Sequence, residues 1–188
     1  EKKFSKKSFL SILMNLKSFI IKLNIKNSKT IWDNYSKNNT YKIEEENLKK
    51  KVEKEFLEKY KFNIIADLGC NDGVYSEICL NSGSNSVVGF DFDPSAINNA
   101  FLRAKKNKLN FLPLYFDVSN PSSNLGWYQK ERKGFLERAK FDGMLSLAFE
   151  HHLTIAKNIP LDQVIEWLVS IAPRGLIEFV PKNDETIK

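Results

Sequence analysis

Residues 64–78 read IIADLGCNDGVYSEI. An unbroken apolar run, Ile64 to Ala66, meets the carboxylate of Asp67, passes through a turn holding Gly69 and Gly73, and continues into a helix-like pattern. A buried strand leading through a glycine turn into a helix places backbone amides where a ligand can approach, because glycine adopts turn conformations closed to other residues. The identity of that ligand is set by the charges around the turn and by the acid at the end of the next strand.

Downstream, short apolar runs recur at Asn63–Ala66, Ser86–Phe90, Asn110–Phe116, Met144–Ala148 and Leu176–Val180, separated by helix-length stretches. Asp93-Pro94 supplies an N-cap and a first-turn proline to a helix whose Ala96, Ile97, Ala100, Phe101 and Ala104 form one apolar stripe. Pro160 opens another helix bearing Leu161, Val164, Ile165 and Leu168. Strands alternating with helices predict a doubly wound α/β domain: a mostly parallel, Rossmann-like sheet whose ligands sit beyond the carboxyl ends of the strands.

Upstream, Leu48, Val52, Phe56 and Tyr60 repeat every four residues after Glu44, Glu45 and Glu46, which predicts a helix with its apolar stripe on those four. Before it, Phe9, Leu10, Leu13, Leu16, Ile20 and Leu23 among lysines predict an amphipathic basic helix. Such a helix is suited to an anionic membrane surface or to packing on the domain or a neighbouring subunit. The expected organisation is a basic helical extension and connector over 1–42 and a ligand-binding domain over 43–188.

The net charge of +6 is unevenly placed: residues 1–30 hold eight lysines against Glu1, or +7, so residues 31–188 carry −1. The domain itself lacks the basic surplus of a nucleic-acid groove, which argues against nucleic acid as a partner. Cys70 and Cys79, in a turn and the helix after it, form no disulfide framework, which fits a reducing compartment and makes the cytosol the default location, with peripheral membrane attachment through residues 1–30 as the alternative. No apolar run reaches the ~18 residues needed to span a bilayer. Metal-ligand spacing is absent and no Ser-His-Asp order argues for hydrolysis.

The turn discriminates between two nucleoside ligands. A dinucleotide fingerprint needs G-x-G-x-x-G, whereas Gly69 and Gly73 are separated by Cys70, Asn71 and Asp72. Asp67 and Asp72 flank the position a diphosphate would occupy, which suits a ligand with cationic groups instead. S-adenosylmethionine offers a sulfonium and an ammonium. Asp91, eighteen residues past Gly73 at the end of the second strand, has two oxygens for two ribose hydroxyls.

At these residues the sequence resembles the class I S-adenosylmethionine-dependent methyltransferases. ADLGCNDG (66–73) is similar to their first motif with Asn71 in place of the middle glycine, VVGFD (87–91) to the second, LYFDVSN (114–120) to the third, FDGMLSLAFEHHL (141–153) to the fourth and PRGLIEFV (173–180) to the fifth strand and its preceding turn. The resemblance implies S-adenosylmethionine as cofactor, a site drawn from Asp67, Gly69, Cys70, Asn71, Gly73, Asp91, Phe92, Asp117, Val118 and Leu147, and methyl transfer to an oxygen or nitrogen acceptor. NPSSNLGWYQKERKGFLERAKFDGMLSLAFEHHL (120–153), IEFVPKND (177–184) and the Trp32, Tyr35 pair resemble a subgroup that includes nodulation-type carbohydrate methyltransferases, implying a glycan or small-molecule acceptor. The family's last two strands have no counterpart after LIEFV, so an uncovered edge is expected here, to be closed by further chain or by another subunit.

His151 and His152, the only histidines, come directly after Glu150 beyond the fourth strand. Either is a candidate base for an acceptor hydroxyl with Glu150 orienting it, and either is equally readable as packing for the next helix. Trp127 and Tyr128 are candidates for an acceptor wall or for core, and Tyr35 is a further acceptor candidate. Glu178 interrupts an apolar strand and needs a partner, an acceptor group or a structural lysine. Two rival readings remain: a non-catalytic S-adenosylmethionine-binding scaffold, and a nucleotide-dependent oxidoreductase, which the glycine spacing disfavours.

Overall fold

A computed structural model describes residues 4–23, 43–138, 140–181 and 184. In chain order the elements are α1 (Lys6–Lys22), α2 (Ile43–Tyr60), β1 (Ile64–Leu68), α3 (Val74–Asn81), β2 (Ser86–Asp91), α4 (Pro94–Asn107), β3 (Phe111–Tyr115), α5 (Phe135–Arg138), β4 (Gly143–Ser146), α6 (Leu161–Ile171) and β5 (Gly175–Ile177). The five strands are all parallel in the order β3-β2-β1-β4-β5. The winding reverses between β1 and β4, so the carboxyl ends of those strands form the crevice in which such sheets bind ligands.

Alternation along each strand divides the core in two. Ala66, Leu68, Phe90 and Met144 face Phe135 of α5 and Val164, Leu168 and Ile171 of α6. Ile65, Val87 and Leu145 face Leu57 of α2, Cys79 of α3, and Ala100 and Ala104 of α4. The small alanines of α4 let that helix lie close on the sheet, while Phe101, expected in the same stripe, is exposed. The Asp93 side chain accepts from the amides of Ser95 (2.7 Å) and Ala96 (3.1 Å), and Pro94 sits in the first turn, as the sequence predicts. Both cysteines are buried and free.

The expected stripe of α2 is corrected by the structure. Leu48, Val52 and Tyr60 are exposed, and the inward row is Lys49, Glu53 and Leu57, with Lys49 partly buried and Glu53 fully enclosed. Long-range pairing turns the helix this way: Lys49 Nζ lies 2.6 Å from Glu178 Oε2 beyond β5 and 4.9 Å over the Tyr75 ring, and Cys79 Sγ points to Glu53 Oε1 at 3.6 Å. Phe56 packs instead on the Tyr60 and Phe62 rings. The partner that Glu178 requires is therefore a structural lysine.

β5 is shorter than its apolar run. The Glu178 amide still donates to Ser146 O (2.9 Å), but the Val180 amide leaves the ladder for the buried carboxylate of Glu150 (2.9 Å). Among the described residues no strand pairs with the outer edge of β5. In α1, capped by Ser5, no residue is buried, and Phe9, Leu10, Leu13, Leu16, Ile20 and the adjoining Leu23 are exposed. No helix among the described residues is long and apolar enough to cross a membrane. Trp32 and Tyr35 lie outside the described residues.

Candidate active site

The glycine turn is built by backbone geometry that its residues permit. Gly69 (φ 75°), Asn71 (φ 47°) and Gly73 (φ 81°) are all left-handed. Asparagine is among the few side chains that tolerate this region, so Asn71 occupies the middle glycine's place without distorting the turn. At Gly69 space matters too: a Cβ would come within 2.6 Å of the Phe149 ring. The amides of Gly69 and Cys70 both donate to Phe90 O at the end of β2 (2.8 and 3.1 Å), closing the turn over the sheet.

Asp91 ends β2 beside this turn. Its Oδ2 accepts from the Asn71 amide (2.9 Å) and its Oδ1 from the Asp93 amide (2.9 Å), which fixes the carboxylate and leaves each oxygen further lone-pair capacity. Burial raises its pKa, against the pull of those backbone amides. Asp67, on the adjacent strand, is 2% exposed and accepts from Ser76 Oγ at 2.5 Å. Burial raises the Asp67 pKa to about 6, the Ser76 hydrogen bond opposing and the Asp91 charge adding to it. Two carboxylates thus converge on one turn, and a cationic ligand relieves the strain of keeping both ionised.

Asp72, which the sequence assigns to the same electrostatic field, is already engaged. Arg103 of α4 donates from Nε to Asp72 O (2.8 Å) and from a terminal nitrogen to Asp72 Oδ2 (3.0 Å), and its other terminal nitrogen reaches Glu77 Oε2 (3.0 Å). Of the acids around the turn, Asp91 lines the cleft, Asp67 is enclosed against Ser76, and Asp72 locks the turn to α4.

Asp91, Phe92, Phe116, Asp117, Val118, Phe149, His152 and Lys157 line a small open cleft. Phe92, half exposed, and Phe116 offer aromatic surface to a flat ligand. Asp117 is partnered by Ser119, whose amide and hydroxyl donate to Oδ1 (2.9 and 2.6 Å) and hold its pKa below the usual carboxylate value. Cys70 and Leu147 lie instead in the core cluster under α2 and α3.

The two histidines are separated by the structure. His152 lines the cleft, and burial, with the His151 ring beside it at 4.0 Å, lowers its pKa to about 4. His151 turns toward Glu150, its Nδ1 3.5 Å from Oε2 of a carboxylate that is 1% exposed. Trp127 and Tyr128 are not core: both stand out on the surface before α5.

Three residues of this region escaped the sequence reading. Lys49 and Glu53 come from a helix twenty residues upstream of the turn, and Arg103 from the far end of α4. A charged residue at a helix position facing the sheet is the only local signal, and it becomes one only when the helix rotation is known. Glu53 has its pKa raised to about 8 by burial and by the Asp67 charge, with Cys79, Lys49 and Lys50 opposing.

The fold is shared with known proteins. The bifunctional kinase-methyltransferase WbdD superposes with a TM-score of 0.57 at 17% identity, covering 90% of this chain and 36% of that one. A candidate RNA methyltransferase of Pyrococcus horikoshii, PH1948, superposes with a TM-score of 0.50 at 16% identity over 94% of this chain and 75% of that one. The fold is that of the class I methyltransferases. In sequence, the nodulation protein NoeA of Rhizobium meliloti (strain 1021) is 44% identical over 188 residues, the whole of this chain and 40% of NoeA. The ribosomal protein L11 methyltransferase of Colwellia psychrerythraea (strain 34H / ATCC BAA-681) is 33% identical over 58 residues, 30% of this chain and 20% of that protein. No protein-family profile matches the chain.

Proposed function

We propose that this domain is a class I methyltransferase that binds S-adenosylmethionine and moves its methyl group to an oxygen or nitrogen acceptor, a glycan or small molecule. The observation that carries the reading is two carboxylates flanking a left-handed glycine turn, the buried Asp67 and the partly exposed Asp91, with Asp91 in the wall of an aromatic-lined cleft. That donor set fits a cationic nucleoside and repels a diphosphate.

Asp91 would take the ribose hydroxyls, Asp67 the methionyl ammonium, and Phe92 and Phe116 the adenine, with Asp117 and Val118 at its edge. The bound cofactor supplies a methyl group made electrophilic by the sulfonium. The chain's own contribution is to hold an acceptor against it and to take the acceptor's proton. His151 is the candidate base, its Nδ1 facing the enclosed Glu150 carboxylate at 3.5 Å, which would orient the ring toward an acceptor reaching past His152 from the cleft. His152, neutral above about pH 4, acts as a cleft wall and hydrogen-bonding group. The apolar, acid-free surface of α1 with Lys6, Lys7, Lys17 and Lys22 supports contact of this extension with an anionic membrane or another subunit.

Calorimetric titration with S-adenosylmethionine and with its demethylated product tests the cofactor site. Binding by the wild type that Asp91→Ala abolishes is expected; equal binding by the variant overturns the assignment. Transfer of labelled methyl to a panel of glycans and small molecules then tests the acceptor class.

A further inference from the structure

Between Asp117 of the cleft and α5, the chain forms a clasped hairpin whose construction the cofactor site does not require. The amides of Leu125 and Arg132 exchange hydrogen bonds with each other's carbonyls (2.8 and 3.1 Å). Below them the Asn124 side chain joins the Gly134 amide to Glu137, and the Phe135 amide donates to Ser122 O (2.8 Å). The hairpin is anchored at the cleft: the Phe135 ring stacks on Phe116 at 4.5 Å, and Phe116 lines the cleft wall.

This clasp holds a backbone that would not persist by itself. Tyr128 (φ 57°) and Gln129 (φ 56°) are successive non-glycine residues in the left-handed region, after Gly126 at φ 84°, ψ −170°. Such conformations survive where the surroundings over-determine them, and they cluster at ligand clamps. What the strain displays is aromatic: Trp127 is 82% exposed and Tyr128 76%. Lys130 Nζ sits 4.5 Å from the centre of the Tyr128 ring, covering one face.

The geometry points to a saccharide-binding platform on the hairpin between the cleft and α5, in which Trp127 and Tyr128 stack on the C–H faces of sugar rings and Gln129, Lys130, Glu131 and Arg132 bond their hydroxyls. The exposed neighbours supply both donors and acceptors, as a polyol needs. A protein partner is disfavoured because aromatic hot spots sit inside an apolar patch that excludes water, whereas four charged residues lie within six positions after Trp127. A nucleic acid is disfavoured by the charge of −1 over residues 31–188. The inference rests on the glycan-acceptor reading and names the surface that would select the glycan.

A glycan array spanning neutral hexose and N-acetylhexosamine oligosaccharides, with calorimetry on the glycans retained, tests it. Wild-type protein is expected to retain a subset that Trp127→Ala and Tyr128→Ala bind at least tenfold more weakly, while Trp127→Phe keeps most of the affinity and all variants bind S-adenosylmethionine as wild type does. Gln129→Gly, which relieves the backbone, should raise the melting temperature and weaken glycan binding. Retention of no glycan, or equal retention by Trp127→Ala, overturns the platform. Glycans bound through Trp127 but never methylated would sink the acceptor reading and leave the platform standing; glycans methylated equally well by Trp127→Ala would do the reverse.

Discussion

Arg103 grips Asp72 twice, through the main-chain carbonyl at 2.8 Å and the carboxylate at 3.0 Å, and so fastens the glycine turn to α4. The guanidinium fork also reaches Glu77 in the first turn of α3, so one side chain ties together the loop and the helix it leads into. The pair is partly exposed, at 29% and 19%, which screens it, and the bonds together contribute about 1–2 kcal/mol. Arg103→Met is expected to lower the melting temperature by several degrees and to weaken S-adenosylmethionine binding about tenfold. Arg103→Lys should recover little of either, because an ammonium cannot reproduce the fork. Thermal melts and calorimetry on the two variants check this.

Glu53 is a second structural charge, fully buried with a pKa raised to about 8. In the unfolded chain it titrates near 4.5, so between these values the folded state binds the extra proton. Its contribution is fully present below about pH 4.5, falls as pH rises, and is exhausted above about 8. Glu53→Gln, a neutral mimic, is expected to leave the protein nearly as stable at pH 4.5 and to stabilise it at pH 8, by a few kcal/mol at most. Urea melts at the two pH values give the comparison; an equal effect at both would show that Glu53 is already ionised.

Asp67 has the opposite consequence for binding. Its carboxylate must be ionised to hold an ammonium, and its raised pKa of about 6 means that mild acid discharges it. Affinity for S-adenosylmethionine should be level above pH 7 and decline by up to tenfold per pH unit below 6. Asp67→Asn should show weak binding with that step removed, measured by calorimetry from pH 5 to 8.

Glu150 joins the end of the fold to the candidate base. Glu150→Ala strands the buried Val180 amide and is expected to cost roughly 1–3 kcal/mol. Glu150→Gln keeps an acceptor for that amide but removes the negative charge that faces His151 Nδ1. It should lower kcat for methyl transfer at least tenfold with cofactor affinity unchanged. His152→Gln should instead alter KM for the acceptor and leave the pH profile between 5 and 8 in place, since His152 is neutral throughout that range.

The strands, the glycine turn, the cap at Asp93 and the acid at Asp91 were legible in the sequence because each rests on contacts within a few residues: a period of two, a left-handed turn, a side chain bonding the amides two and three positions on. The spacing of Gly69, Gly73 and Asp91 likewise sets the expectation of S-adenosylmethionine rather than a dinucleotide. Only the tertiary structure decided which face of α2 is buried, that Asp72 belongs to Arg103, that Glu178 belongs to Lys49, and that His152 rather than His151 faces the cleft. The ion pairs among these join residues 31 and 129 positions apart in the chain, and the rotation of α2 about its axis is imposed by the longer of them. Local periodicity is nearly degenerate between adjacent helix faces, so a partly buried ion pair together with the enclosed Glu53 and Leu57 turns α2 away from the stripe its sequence displays.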